Sequence, residues 1–208
     1  MNVRKIDELN VVEAPISYEQ YFGEMEISEK EKQYRIKLAY EFEDYLLALF
    51  LILATEERER EEYYQQADEE YCQIATKYMG VKETPVYIND YAAEITMSIV
   101  DTTLDNIDVD YYLSEERAKS IAANEANSIG NYREQVEMVK RGYKFKEWRT
   151  MKDDRVRHTH VKVDNTKIGI FERFNVGNMQ MMFPRDVSLG AGPEEIVNCR
   201  CSLRYSKD

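Results

Sequence analysis

The sequence predicts an α+β protein: a long-helix N-terminal half followed by a small antiparallel β module packed on a helix at 114–141. Three observations predict it. No glycine or proline lies between Ser28 and Gly80, while apolar residues recur there at the three-and-four spacing of one helical face. After Gly142 the apolar period shortens to two, the period of half-buried strands. Charge divides as well: from residue 140 onward fifteen Lys/Arg stand against nine Asp/Glu, a balance of +6, so residues 1–139 carry −18 of a chain total of −12.

The elements follow in order. Ser28-Glu29-Lys30-Glu31 is a capping-box pattern and starts a helix at residue 29. Its stripe runs through 38, 42, 45/46, 49 and 53 and resumes at 63/64, 67, 71, 74 and 78. Good helix formers fill the charged segment 56–62 between the two stripes, so one nearly continuous helix over 29–79 is expected; a helical hairpin would need a loop where no turn residue is offered. Thr84 before Pro85 reads as a cap and a first-turn proline, with a helix to Asn106 burying Ile88, Tyr91, Ala92, Ile95 and Ile99. Ser114 caps the next helix, whose stripe is Ala118, Ala122, Glu125, Ile129, Tyr132, Val136 and Val139 and which ends at Lys140-Arg141-Gly142. Segments 143–146 and 197–205 alternate as strands, the second with Cys199, Cys201 and Leu203 on its inner face. Asn175-Val176-Gly177-Asn178 reads as a hairpin turn joining 168–174 to 179–183. The expected division is an acidic helical region over 1–112 and a helix-plus-sheet module over 113–208.

Composition excludes several classes. The longest apolar run, 46–54, is nine residues, short of the ~20 that span a bilayer, and Asp7, Glu8 and Glu13 leave no signal-peptide pattern at the N-terminus. No membrane partner is expected, and synthesis in the cytoplasm follows. Three cysteines, an odd number, fit a reduced compartment better than a disulfide framework.

The last sixty residues gather both histidines and two of the three cysteines. Trp148 precedes Asp153-Asp154-Arg155-Val156-Arg157-His158-Thr159-His160; then come Phe183-Pro184-Arg185-Asp186, the Ala-Gly-Pro-Glu-Glu-Ile-Val run at 191–197, and Asn198-Cys199-Arg200-Cys201. Upstream, Glu116-Arg117-Ala118, Ile121-Ala122 and Asn124-Glu125 complete a pattern over about 113–205. Taken in this order, these pieces resemble the phage Mu F-like minor head proteins, the head-morphogenesis family of tailed bacteriophages. The sequence departs from that family in having Asn165 after Asp164 where the family has a glycine, and Asn124 where it has a threonine. Asparagine still tolerates a left-handed turn. His160 is the histidine that matches the family pattern.

Each candidate group has more than one reading. Glu125 sits on an apolar stripe, so its carboxylate must be paired, protonated or at the edge of the core; Arg155 or Arg157 is the leading partner, ahead of a catalytic carboxylate or simple edge exposure. His158, His160, Cys199 and Cys201 could supply four zinc ligands if both segments are extended, whereas a helical turn at 155–160 would point the histidines apart. Because alternation by itself buries both thiols, no metal or cofactor is expected, and His160 should instead donate a hydrogen bond fixing the motif loop against the last strand. Cys199 as a nucleophile with His160 as base is the enzymatic alternative, without a Gly-rich turn beside it. Arg149, Arg155, Arg157, Arg173, Arg185, Arg200 and Arg204 could touch DNA non-specifically, though no groove-reading motif accompanies them.

The resemblance implies a structural, non-enzymatic role: a minor head protein associated with the portal or major capsid protein, in the host cytoplasm during assembly and then in the head interior or at the portal vertex, acting in head morphogenesis or genome delivery. In that reading Glu125, Trp148, Arg155, Arg157, His160, Pro184, Asp186, Asn198, Cys199 and Cys201 are structural motif residues. The alternative class is a metal- or cysteine-dependent enzyme such as a nuclease or a toxin-like effector.

Overall fold

The computed structural model describes residues 17–208; Asp7, Glu8 and Glu13 lie outside the described residues. The described chain forms helices α1 (Tyr18–Gly23), α2 (Glu29–Thr55), α3 (Arg60–Met79), α4 (Val86–Asp105), a 3-10 turn (Asp110–Leu113) and α5 (Glu115–Lys140). Strand β1 (Phe145–Arg149), helix α6 (His158–Val161), strands β2 (Lys167–Gly169), β3 (Phe174–Val176) and β4 (Met179–Met181), helix α7 (Pro193–Ile196) and strand β5 (Ser202–Ser206) follow. A helical half followed by small antiparallel sheets is the predicted α+β class. The chain forms two compact units, Lys37–Ala126 in one and residues 17–36 with Asn127–Asp208 in the other, so α2 and α5 each contribute to both. Among the described residues no helix is long and apolar enough to cross a membrane.

In the first unit the expected continuous helix over 29–79 is replaced by a hairpin. Residues 56–59 leave the helical conformation, and α3 runs back along α2: the Tyr45 hydroxyl donates to the Ala67 carbonyl at 3.0 Å and the Tyr78 hydroxyl to Glu41 at 2.8 Å. Two effects outweigh helix propensity. The reversal lets the two apolar stripes cover each other, burying Phe42, Leu46, Leu49, Leu53, Tyr63, Ala67, Tyr71 and Ala75. It also relieves the acidic run, because a continuous helix would stack Glu57 on Glu61 and Glu59 on Glu62, whereas the break puts Glu61 and Glu62 in the first turn of α3, where the helix dipole favours them. Tyr63 serves in place of a turn residue: its hydroxyl donates to the Glu56 carbonyl at 2.6 Å and accepts from the Arg58 amide at 3.2 Å.

Helix α4 lies antiparallel to α3, held at one end by Arg60 on Asp101 and Asp105, both at 2.6 Å. Its predicted buried residues are all buried, but Pro85 is itself the cap, and the Thr84 hydroxyl is instead bonded to that of Thr76 at 2.8 Å. Ser114 caps α5 as expected, accepting from the Arg117 amide at 3.1 Å. Arg117 is buried, with its guanidinium 4.9 Å from the Phe50 ring and 2.8 Å from the Thr103 hydroxyl.

In the second unit Ser28 caps α2 as predicted, but Glu31 does not reach back to it; its carboxylate pairs with Arg35 and Arg133. The β module centres on β1, flanked antiparallel by β2 and β5 with Trp148 opposite Leu203. Strand β1 therefore starts later than the predicted 143–146. The strand expected over 197–205 begins only at Ser202, because Pro193–Ile196 is helical and Asn198 has φ of 53°; Cys199 and Cys201 sit in the loop before it. The hairpin is present as β3–β4, turning at Gly177-Asn178 with Gly177 at φ of 59°. Its predicted first strand is split, since Glu172 folds back to accept from the Gly169 amide at 2.6 Å and ends β2.

Candidate functional site

The middle of α5, residues 120–131, is buried on every side, although Ser120, Asn124, Glu125, Asn127, Ser128 and Asn131 are among its residues. Buried polar groups need partners. From Asn127 onward those partners lie in the loops of the β module. Asn127 donates to the Cys199 carbonyl at 2.9 Å, Asn131 to the carbonyls of Pro184 and Cys201 at 3.1 and 3.3 Å, and Gln135 to the Ile170 carbonyl at 3.0 Å. Ser128 accepts from Arg185 at 2.6 Å, and Arg185, in a left-handed conformation at φ of 69°, also donates to the Ile196 carbonyl at 2.7 Å. A ladder at 127, 131 and 135 thus supplies donors to loop carbonyls. Sequence reasoning missed it; the signal is an Asn/Gln repeat at helical spacing running alongside the apolar stripe.

A buried charge cluster joins α2 to the same helix. Arg35, with no solvent exposure, bonds Glu31 at 3.1 Å, Glu134 at 2.8 Å and the Asn127 side-chain oxygen. Gly130 makes room for it: a Cβ there would lie 2.5 Å from Arg35 Nε. Burial pushes the Glu134 carboxyl up to about 7, against the attraction of Arg35.

The motif loop is built from turns. Asp153 accepts from the Arg155 amide at 3.1 Å, Arg157 precedes the helical turn α6, and Asn165 takes the left-handed conformation the sequence suggested, at φ of 60°. Because 158–161 is helical, His158 is exposed and His160 buried, so the four-ligand set is not assembled. His160 Nδ1 faces Cys201 Sγ at 3.4 Å and Cys199 Sγ at 3.6 Å, and its Nε2 lies 3.1 Å from Glu195, which also accepts from Thr159 at 2.7 Å. His160 thus faces Cys199 and Cys201 in the loop that leads into β5, and its tautomer decides which atom donates. A hydrogen bond from Cys201 holds the Cys199 thiol well below its ordinary value against burial, with His160 adding to the effect. For His160, burial favours the neutral ring, but the facing Cys199 raises its pKa overall. Both thiols are almost fully buried, and the void beside them is about 10 Å³.

The remaining motif residues serve the same framework. Trp148, fully buried, packs edge-on to His160 and Phe174 with centroids 5.7 and 5.1 Å apart. Pro184 offers its carbonyl to Asn131, and Asp186 accepts from the Met182 and Ser188 amides at 2.8 and 2.9 Å. Asn198 supplies the left-handed residue that leads into Cys199. Arg157 donates to the Val197 carbonyl, while Arg155 stays exposed beside Asp153 at 3.5 Å.

Glu125 accepts a hydrogen bond from the Tyr71 hydroxyl at 2.9 Å, a partner the sequence did not suggest. The reason is the α2–α3 hairpin, which places Tyr71 in the core; a straight helix would have carried it away. Burial, reinforced by the Glu125 charge, holds the Tyr71 hydroxyl well above its usual range, so it remains a donor at all physiological pH. Tyr71→Phe should lower stability by roughly 1.5–3 kcal/mol, the range for a hydrogen bond to a charged group. Urea melts that coincide with wild type would remove this bond from the account.

Lys146 is a further buried charge, donating to the Met182 carbonyl at 2.7 Å; burial pulls its pKa down to about 8, with Asp186 and Glu172 opposing. Between about pH 8 and 10.5 the folded state then binds fewer protons than the unfolded state, so stability rises with pH across that window. The expected gain is roughly 3 kcal/mol. Lys146→Met should abolish the rise in pH-dependent melts, and an identical rise in the variant would refute the assignment.

Several arginines read as DNA contacts are engaged within the module. Arg185 is buried, Arg149 bonds Glu147 at 2.7 Å as well as Glu26, and Arg200 bonds Asp153 at 2.6 Å.

The site thus defines a helix-docked β module whose loops are bonded onto polar side chains of a buried helix. The family model described as "Phage Mu protein F like protein" matches residues 86–204, more than half of the sequence, and the chain belongs to that family. The match begins upstream of residue 113 and takes in α4. Neither the curated proteins nor the solved structures gave a match.

Proposed function

We propose that this chain is a structural minor head protein, without enzymatic activity, that binds the portal or major capsid protein during head morphogenesis or genome delivery. The observation that carries the reading is the family match over 86–204. Charge supports it: Lys37–Ala126 holds seven Lys/Arg against twenty-one Asp/Glu, −14, while 17–36 with 127–208 holds nineteen against sixteen, +3. An acidic unit of this strength repels nucleic acid and suits a basic protein surface. Non-specific DNA contact is the less favoured partner, because Arg149, Arg185 and Arg200 are already engaged. In this reading the protein resides in the host cytoplasm during assembly and afterwards in the virion head or at the portal vertex.

The test is co-purification of the tagged chain with the portal and major capsid proteins encoded beside it, with purified virions analysed by mass spectrometry. Salt-sensitive retention of either protein, together with presence in virions, is expected. A folded chain that captures neither and is absent from virions would overturn the proposal.

A further inference from the structure

We propose that His160, Cys199 and Cys201 form a binding site for a single zinc ion. Their candidate ligand atoms all lie within 4.8 Å of one another and all three residues are buried. With Zn–S near 2.3 Å and Zn–N near 2.0–2.1 Å, a tetrahedral centre separates a nitrogen ligand from a sulfur ligand by about 3.5 Å. The observed separations from Nδ1 are 3.4 and 3.6 Å. A zinc-binding imidazole typically gives its other nitrogen to a carboxylate. Here Nε2 faces Glu195 at 3.1 Å, and Glu195 is held in turn by Thr159.

The ligands are fixed by the fold itself. Asn127 and Asn131 hold the carbonyls of Cys199 and Cys201, and Arg200 between them is bonded to Asp153. Two thiolates and a neutral imidazole would balance the charge of a divalent ion, and this ligand set selects zinc over magnesium or calcium. The void of about 10 Å³ beside the cluster is about the size one water needs, as a fourth ligand. His158 takes no part, because two residues along a helical turn it points to the far side from His160. The expectation of no metal rested on alternation along a strand burying both thiols; the two cysteines lie in the loop before the strand instead, and converge there with His160. Bound zinc would cross-link the motif loop to the chain entering β5.

The test uses the full chain, purified under reducing conditions. Metal analysis should find one zinc per chain. Co²⁺ added to the stripped protein should give a thiolate-to-cobalt charge-transfer band and quench Trp148, whose ring lies edge-on to His160. Cys199→Ser and Cys201→Ser should abolish the band, while Cys72→Ser and His158→Asn should leave it intact. Since either cysteine variant could fail to fold, the wild-type titration decides independently: a folded, reduced chain that gives no band with excess Co²⁺ overturns the site. A band that survives in folded Cys199→Ser and Cys201→Ser, or that vanishes in Cys72→Ser, overturns it equally.

Discussion

Replacing Arg35 with alanine should lower the unfolding free energy by roughly 3–5 kcal/mol, the range found when one partner of a buried ion pair is removed. The substitution strips Glu134 of its guanidinium and leaves Glu31 with Arg133 alone, while Asn127 loses the donor to its oxygen. Glu134→Gln in the same background should change little near neutral pH, because without the guanidinium burial holds this carboxyl in its neutral form. pH supplies a second readout. With its folded pKa raised to about 7 from an ordinary 4.5, Glu134 holds an extra proton in the native state between those values. Stability should therefore be fully supported below about pH 4.5 and fall as pH rises through 7, a slope that Glu134→Gln should flatten. An Arg35→Ala protein within ~1 kcal/mol of wild type would show that the cluster is not the anchor the geometry suggests.

Trp148→Ala should cost about 3–5 kcal/mol, as expected for deleting a large buried aromatic side chain. Its position makes the loss specific. Trp148 packs β1 against His160 of α6 and Phe174 of β3, so its removal opens a cavity among three elements and should release the β module while the α2–α3–α4 core keeps its far-ultraviolet helical signal. Hydrogen exchange should show faster opening across β1, β2 and β5 than across α3 and α4. Uniform acceleration, or none, would contradict this.

The sequence was legible where one residue type answers one local question. Ser28 and Ser114 cap the helices they were expected to cap, Gly177 turns the hairpin, and Asn165 takes the left-handed conformation its position required. It was illegible where tertiary partners decide. Nothing local in Glu56-Glu57-Arg58-Glu59 announces a reversal, because the residue that satisfies its backbone, Tyr63, lies in the next helix. Alternation led to an expectation of Cys199 and Cys201 buried along a strand; they are buried in a loop instead, whose conformation depends on Asn127 and Asn131 some seventy residues earlier. Glu125 was read as a carboxylate in need of a partner, and it is buried; one partner, Tyr71, comes from a helix whose direction had been misjudged.

The pairing of residues 17–36 with the C-terminal part of the chain has a consequence for biosynthesis. Glu26 meets Arg149 across 123 residues of sequence, and Arg35 meets Glu134 across 99. At about 5–20 residues per second of translation, Glu26 waits roughly 6–25 s before its arginine exists. The segment Lys37–Ala126 carries its own core and can close during that time. Residues 17–36 have none of the later strands or loops to dock on until residues 127–208 have been translated, so in a crowded polysome the first complete module they encounter can belong to a neighbouring chain. High expression should therefore favour exchange of this segment between copies, and slower, cooler expression should favour the monomeric fold.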